Sequence, residues 1–164
     1  MNDADVDKLY DALRISVNLE AQLTNFLSRG GRATKAWAGW LKTSTVDAGA
    51  KAQMKEALTA LAKMGKDAKI VLKDLDKATK AADKATLAKY KTGKEYRDKV
   101  LSKQLASVRT WDQNCNKFMT SMAKVVPPFG YPNNRGVDET ATYGAVKNFQ
   151  HYYDEMSKGL AKLG

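Results

Sequence analysis

The chain has 164 residues, 43% of them hydrophobic, and a formal net charge of +10 at pH 7. A chain of this length is expected to fold as one domain, residues 1–164, that buries about 70% of its unfolded surface. Its single cysteine, Cys115, excludes an intramolecular disulfide and a cysteine-based zinc site. We therefore expect no structural metal and no cofactor. Residues 66–110 carry +7 of the net charge, which indicates a local patch for an acidic partner.

The first residues of the chain bear on the cellular compartment of the protein. The first eleven residues are acidic and polar, so no secretory signal peptide is predicted there. No apolar run of about 18 residues is present that could span a bilayer. We expect a cytoplasmic protein, with secretion that does not use a signal peptide as the alternative.

The first helix is predicted over residues 3–29, where apolar residues recur at helical spacing after a capping residue. Gly30 and Gly31 follow, and a glycine pair is a strong signal for the end of a helix. A short amphipathic segment comes next. Its two tryptophans, Trp37 and Trp40, are expected to close one end of the fold.

A long central helix is predicted over residues 51–90, which contain no proline and one glycine, Gly65. It would be about 60 Å long. We expect it to continue through Gly65, although glycine costs about 1 kcal/mol there relative to alanine. Six lysines recur at three- and four-residue steps within an arc of about 80°. This lysine stripe consists of Lys66, Lys69, Lys73, Lys77, Lys80 and Lys84.

The clearest apolar stripe lies in residues 101–126, and Pro127-Pro128 is predicted to end that helix because proline lacks the N–H donor that would continue it. We expect five stripe residues to be buried: Leu105, Trp111, Cys115, Phe118 and Met122. A last helix restarts near Asp138. Because no segment shows the alternation of a strand, the sequence predicts an all-α, antiparallel helical bundle of about five helices, with one long central helix and coiled-coil-like packing.

Trp37-Ala38-Gly39 lies between the predicted first and central helices. It resembles the W-x-G turn of the small helical-hairpin proteins that type VII systems secrete. This chain is longer than those proteins, strongly basic, and lacks a Tyr-x-x-x-Asp/Glu signal after its second helix. The resemblance implies a turn at these three residues and supports the alternative of secretion without a leader.

The sequence contains few residue patterns that are typical of a catalytic or metal-binding site. Cys115 and His151 would lie at similar height in a hairpin, but Cys115 falls within an apolar stripe and His151 on the outer face of its helix, so no dyad is predicted. No metal-ligand spacing and no phosphate-binding glycine loop is present. The alternative to a binding protein is a small effector, toxin or enzyme domain that uses Tyr131, Arg135 and His151 near the proline loop.

Two segments are predicted to contact a partner. The lysine stripe suits an acidic protein surface best and nucleic acid without sequence specificity next, because arginine is scarce and aromatics are absent there. Its simpler interpretation is a solvated face that keeps the protein soluble. The second segment is the loop from Pro127 to Gly136. Its residues Phe129, Tyr131 and Arg135 are of types common at binding hot spots. Alternatively, these side chains cap the end of the bundle.

The sequence thus predicts a non-enzymatic binding or adaptor protein.

Overall fold

The computed structural model describes residues 1–43, 48–129 and 136–164, with the backbone only at residues 43 and 126–129. Within these ranges the regular structure is helical and contains no strand. The predicted all-α bundle is therefore confirmed. The elements are α1 (Asp3–Arg14), α2 (Ser16–Thr43), α3 (Ala48–Ala81), α4 (Lys84–Leu87), α5 (Gly93–Tyr96), a π-helical turn (Arg97–Leu101), α6 (Ser102–Gln104), α7 (Ala106–Phe129) and α8 (Val137–Ala161).

Four long helices form the bundle. Helix α3 packs against α7 and α2 against α8, while α2 also contacts α3 and α7 contacts α8. Trp111 lies beside Met64, and Ser107 beside Asp74, so residue numbers rise along α3 as they fall along α7. The two helices are thus antiparallel. The shorter helix α1 packs against α8. With α1 included, the described part of the chain has five helices of twelve or more residues.

Buried side chains from these five helices form one continuous core. All five residues predicted to be buried are confirmed, with Leu105 the most exposed of them at 8%. Trp111 is central to this core, because its ring meets Phe26 of α2 and Phe149 of α8 and its indole N–H donates to the Met64 carbonyl of α3. One side chain therefore joins four helices.

The prediction of one first helix over residues 3–29 is wrong in two respects: the helix is interrupted, and it does not end at the glycine pair. It is interrupted at Ile15, whose N–H bonds the Ala12 carbonyl at 3.2 Å, and α2 then continues through Gly30 and Gly31 to residue 43. A Cβ at Gly30 would lie 3.3 Å from the Phe26 ring. Glycine makes room there for a core side chain, and packing of α2 on its neighbours offsets the helix penalty of about 1 kcal/mol per glycine.

The turn implied at Trp37-Ala38-Gly39 is also wrong, because all three residues lie inside α2. Trp37 is fully buried, and its ring centroid is 5.7 Å from that of Phe118 on α7. Trp37 is therefore a core residue of a continuous helix, and Trp40 is partly buried against the same core.

The long central helix is confirmed, although its bounds differ from the prediction. Helix α3 has 34 residues, about 51 Å at 1.5 Å per residue, and it continues through Gly65 as expected. It ends at Ala81, before residue 90. Asp83 accounts for the end, because its side chain caps α4 by accepting from the Thr86 N–H at 3.0 Å. Lys84 therefore belongs to α4.

Helix α7 passes the predicted end at Val126 and extends to Phe129. Pro127 and Pro128 lack N–H donors, but the φ of about −65° that their rings impose is a helical value, so the backbone can stay helical for a last turn. Helix α8 begins at Val137, where Asp138 in the first turn pairs with Arg29 and Arg32 of α2 at 3.1 Å each.

Candidate binding surface on α3 and α7

The lysine stripe lies on the outer face of the bundle. Its six side chains are all exposed, while Ala68, Val71 and Leu75 on the opposite face of α3 are buried. The separation follows from helical geometry, since residues three and four apart share a face. Lys66 to Lys80 thus present a row of ammonium groups along about 21 Å of α3.

The two stripe lysines nearest the end of α3 are paired within their own helix. Lys80 Nζ lies 2.7 Å from an Asp76 carboxylate oxygen, and Lys77 Nζ lies 3.8 Å from Asp74. The hydrogen bond that Lys80 donates to the Asp76 carboxylate raises the pKa of Lys80 above its ordinary value. These carboxylates reduce the charge available to a partner at this end.

Lys66, Lys69 and Lys73 form what we call the open lysine cluster. Among the residues that the structure describes, none of the three has a carboxylate oxygen within 4.0 Å. Ile70 lies among them on the same face and is 55% exposed. The cluster therefore combines uncompensated positive charge with one apolar side chain that a partner could cover.

A groove of about 680 Å³ lies between α3 and α7, at the end of α3 that precedes the stripe. Eleven residues line it, and all but Ala60 have polar or charged side chains: Lys55, Glu56, Thr59, Ala60 and Lys63 from α3, and Asn114, Asn116, Lys117, Thr120, Ser121 and Lys124 from α7. Ala60, Asn114 and Ser121 are buried and form its floor. We call this the α3–α7 groove.

The groove and the lysine stripe are continuous. A neighbouring depression on α3 is lined by Lys66 and Asp67 and shares Thr59 and Lys63 with the groove. Lys63 Nζ also lies 3.1 Å from Asp67. The basic surface therefore extends along most of α3, from Lys55 onward, and crosses to α7 at the groove.

No family model, curated protein or solved structure matches this chain. A functional proposal for this chain therefore depends on the charge and geometry of its surface. No helix in the three described ranges is both long and apolar enough to cross a membrane. Nor do those ranges hold three or more His, Cys, Asp or Glu side chains grouped so that they could bind a metal ion.

Cys115 and His151 lie in opposite environments, as predicted. Cys115 is fully buried, and burial raises the pKa of its thiol well above the ordinary value. His151 is 67% exposed on α8, with Nε2 3.2 Å from a Glu155 carboxylate oxygen. A buried thiol of this kind is a core side chain and a poor nucleophile.

The predicted contact residues of the proline loop fall outside what the structure describes. Tyr131 and Arg135 lie in the undescribed range 130–135, and for Phe129 only the helical backbone is described. Their role in contacting a partner stays a prediction.

Four groove lysines were missed at the sequence level, although the sequence contains a signal for them. Lys55 lies eleven residues before Lys66 and hence at nearly the same angle on α3. Lys117 and Lys124 are seven residues apart, which places them on one face of α7. That the two helices are neighbours, however, is set by tertiary packing and could not be read from either spacing.

Proposed function

We propose that this protein is a non-enzymatic binding or adaptor protein that uses the basic face of α3 to contact an acidic macromolecule, in the first place an acidic protein surface. The lysine stripe is the contact surface. The observation that supports this most is the open lysine cluster, because Lys66, Lys69 and Lys73 point to solvent without a carboxylate partner among the described residues. Ammonium groups without a carboxylate partner gain more electrostatic binding free energy from an external anion than paired lysines do.

An acidic protein fits this face better than nucleic acid does. Ile70 is exposed among the lysines, and an apolar side chain adds to binding only against an apolar group of the partner. A nucleic-acid strand would call for aromatic stacking or arginine forks, and residues 66–84 contain neither. Charge complementarity from lysines accelerates association and sets orientation without demanding a fixed geometry.

Affinity capture from the native lysate, at low and at high salt, tests the proposal. The informative variant is Lys66→Glu/Lys69→Glu/Lys73→Glu, which reverses the open lysine cluster. The matched control makes the same change of charge at three exposed lysines outside the lysine stripe and the α3–α7 groove: Lys35, Lys103 and Lys147.

We expect the wild type and the control to retain the same acidic proteins at low salt, and the cluster variant to retain at least about tenfold less. High salt should release the partner, because exposed charges are screened. Equal loss in the cluster variant and the control would reduce the effect to net charge and contradict the proposal. If the retained material is nucleic acid, with a salt slope of about 0.9 per phosphate contacted, the partner class is wrong.

A further inference from the structure

We infer that the α3–α7 groove is the binding site for an acidic peptide segment of the partner, held as an extended chain or a short helix between two pairs of lysines. This inference rests on the proposed function, and it names a site on that surface that the lysine stripe does not include. The groove is about 12 Å long, because Lys55 and Lys63 at its ends are eight residues apart on α3.

The lysines of the groove form a pair at each end. Helices α3 and α7 are antiparallel, so Lys124 of α7 lies at the same end as Lys55 of α3, and Lys117 lies toward Lys63. Glu56 is the one carboxylate that lines the groove, against four ammonium groups, of which that of Lys63 also lies 3.1 Å from an Asp67 carboxylate oxygen. Positive charge at both ends of the groove suits a ligand with separated negative charges.

The floor suits a peptide backbone. The hydroxyls of Thr120 and of the buried Ser121 can both donate and accept hydrogen bonds. The Thr59 hydroxyl already donates to the Lys55 carbonyl, and Asn114 Nδ2 donates one N–H to the Thr110 carbonyl, so Thr59 keeps its oxygen as an acceptor and Asn114 keeps its oxygen and a second N–H. A peptide presents N–H and C=O groups at each residue and can use both kinds. Its acidic side chains would reach the lysines at either end.

Other anions fit less well. The groove is lined by the middle of two long helices, whose backbone N–H groups are used within the helices, so it lacks the helix N-terminus or amide nest that phosphate sites use. It also has no arginine for bidentate phosphate contacts and no aromatic ring on which a base could stack. Glu56 would repel a continuous polyanion.

The test is an NMR titration of the isotope-labelled full chain with a short peptide of alternating glutamate and alanine, with inorganic phosphate and oligothymidylate as comparisons at equal ionic strength. We expect saturable shifts of the Asn114 and Asn116 side-chain amides with the peptide. In Lys117→Glu/Lys124→Glu the peptide should bind at least about tenfold more weakly, while Lys35→Glu/Lys147→Glu, with the same change of charge, should bind as the wild type does.

The outcomes separate the two proposals. Peptide shifts confined to residues 66–80, with the Asn114 amide unmoved, would overturn the groove assignment and leave the basic face of α3 as the contact surface. Stronger saturation of the groove by phosphate or oligothymidylate than by the peptide would overturn the peptide as its ligand. No saturable shift on either surface would contradict both proposals.

Discussion

Replacing Trp111 tests how the bundle is held together. Trp111 is 1% exposed, its indole N–H donates to the Met64 carbonyl at 3.0 Å, and its ring centroid lies 5.1 Å from Phe26 and 4.5 Å from Phe149. Truncating a buried aromatic side chain costs about 3–5 kcal/mol. Since this one also loses two edge-to-face ring contacts and a hydrogen bond, we expect Trp111→Ala to lose about 4–5 kcal/mol of unfolding free energy.

Trp111→Phe divides that loss into parts. It keeps most of the ring but removes the N–H donor, so we expect a loss of about 1–2 kcal/mol. Urea unfolding followed by far-UV circular dichroism measures both variants, with Val17→Ala as a control that should stay within about 0.5 kcal/mol because Val17 is 64% exposed. A loss below about 1 kcal/mol in Trp111→Ala would refute the account of the core.

Three further predictions concern single groups. Burial, with Asp154 nearby, raises the pKa of Asp112 from 3.8 to about 6, so the folded state loses stability as pH rises through that interval. Asp112→Asn should therefore stabilise the fold by about 1–2 kcal/mol at neutral pH, after allowance for solvent screening, and the gain should vanish in acid when unfolding is measured against pH. Backbone N–H groups of Gly93 and Gly164 lower the pKa of Asp5 below 3.8. Its contribution is present above that value and lost as pH falls through the folded pKa, so Asp5→Asn should lower the melting temperature at neutral pH by more than in strong acid. Gly65→Ala should raise unfolding free energy by about 0.5–1 kcal/mol in urea, because a Cβ there meets nothing within 4 Å; a loss would mean that the glycine is needed for packing.

The sequence predicted the parts of the fold that periodicity controls. The apolar stripe from Leu101 to Met122 is buried, because a repeat of three and four residues places those side chains on one face whatever the surroundings. The long α3 and the exposed lysine stripe follow from the same geometry. The capping residue expected before the first helix is Asn2, whose side-chain oxygen accepts from the Asp5 N–H at 2.8 Å.

Local signals failed where tertiary packing outweighed them. Gly30-Gly31 is a strong stop in isolation, yet the buried Phe26 and Trp37 on either side hold α2 continuous. Helix α3 ends earlier than predicted because Asp83 caps a new helical turn, α4. Apolar periodicity is the same whether one helix continues or a second one starts, so it could not predict this break. The α3–α7 groove needed the pairing of two helices far apart in sequence.

The most direct test of the lysine stripe as the contact surface is a lysine-reactivity footprint of the wild-type protein, free and bound to its captured acidic partner, read by mass spectrometry. Lys66, Lys69 and Lys73 should lose reactivity on binding, while Lys35 and Lys147 on α2 and α8 should react equally in both states. Protection of Lys35 and Lys147 with the open lysine cluster still reactive would show that the partner binds another face, and would contradict the lysine stripe as the contact surface.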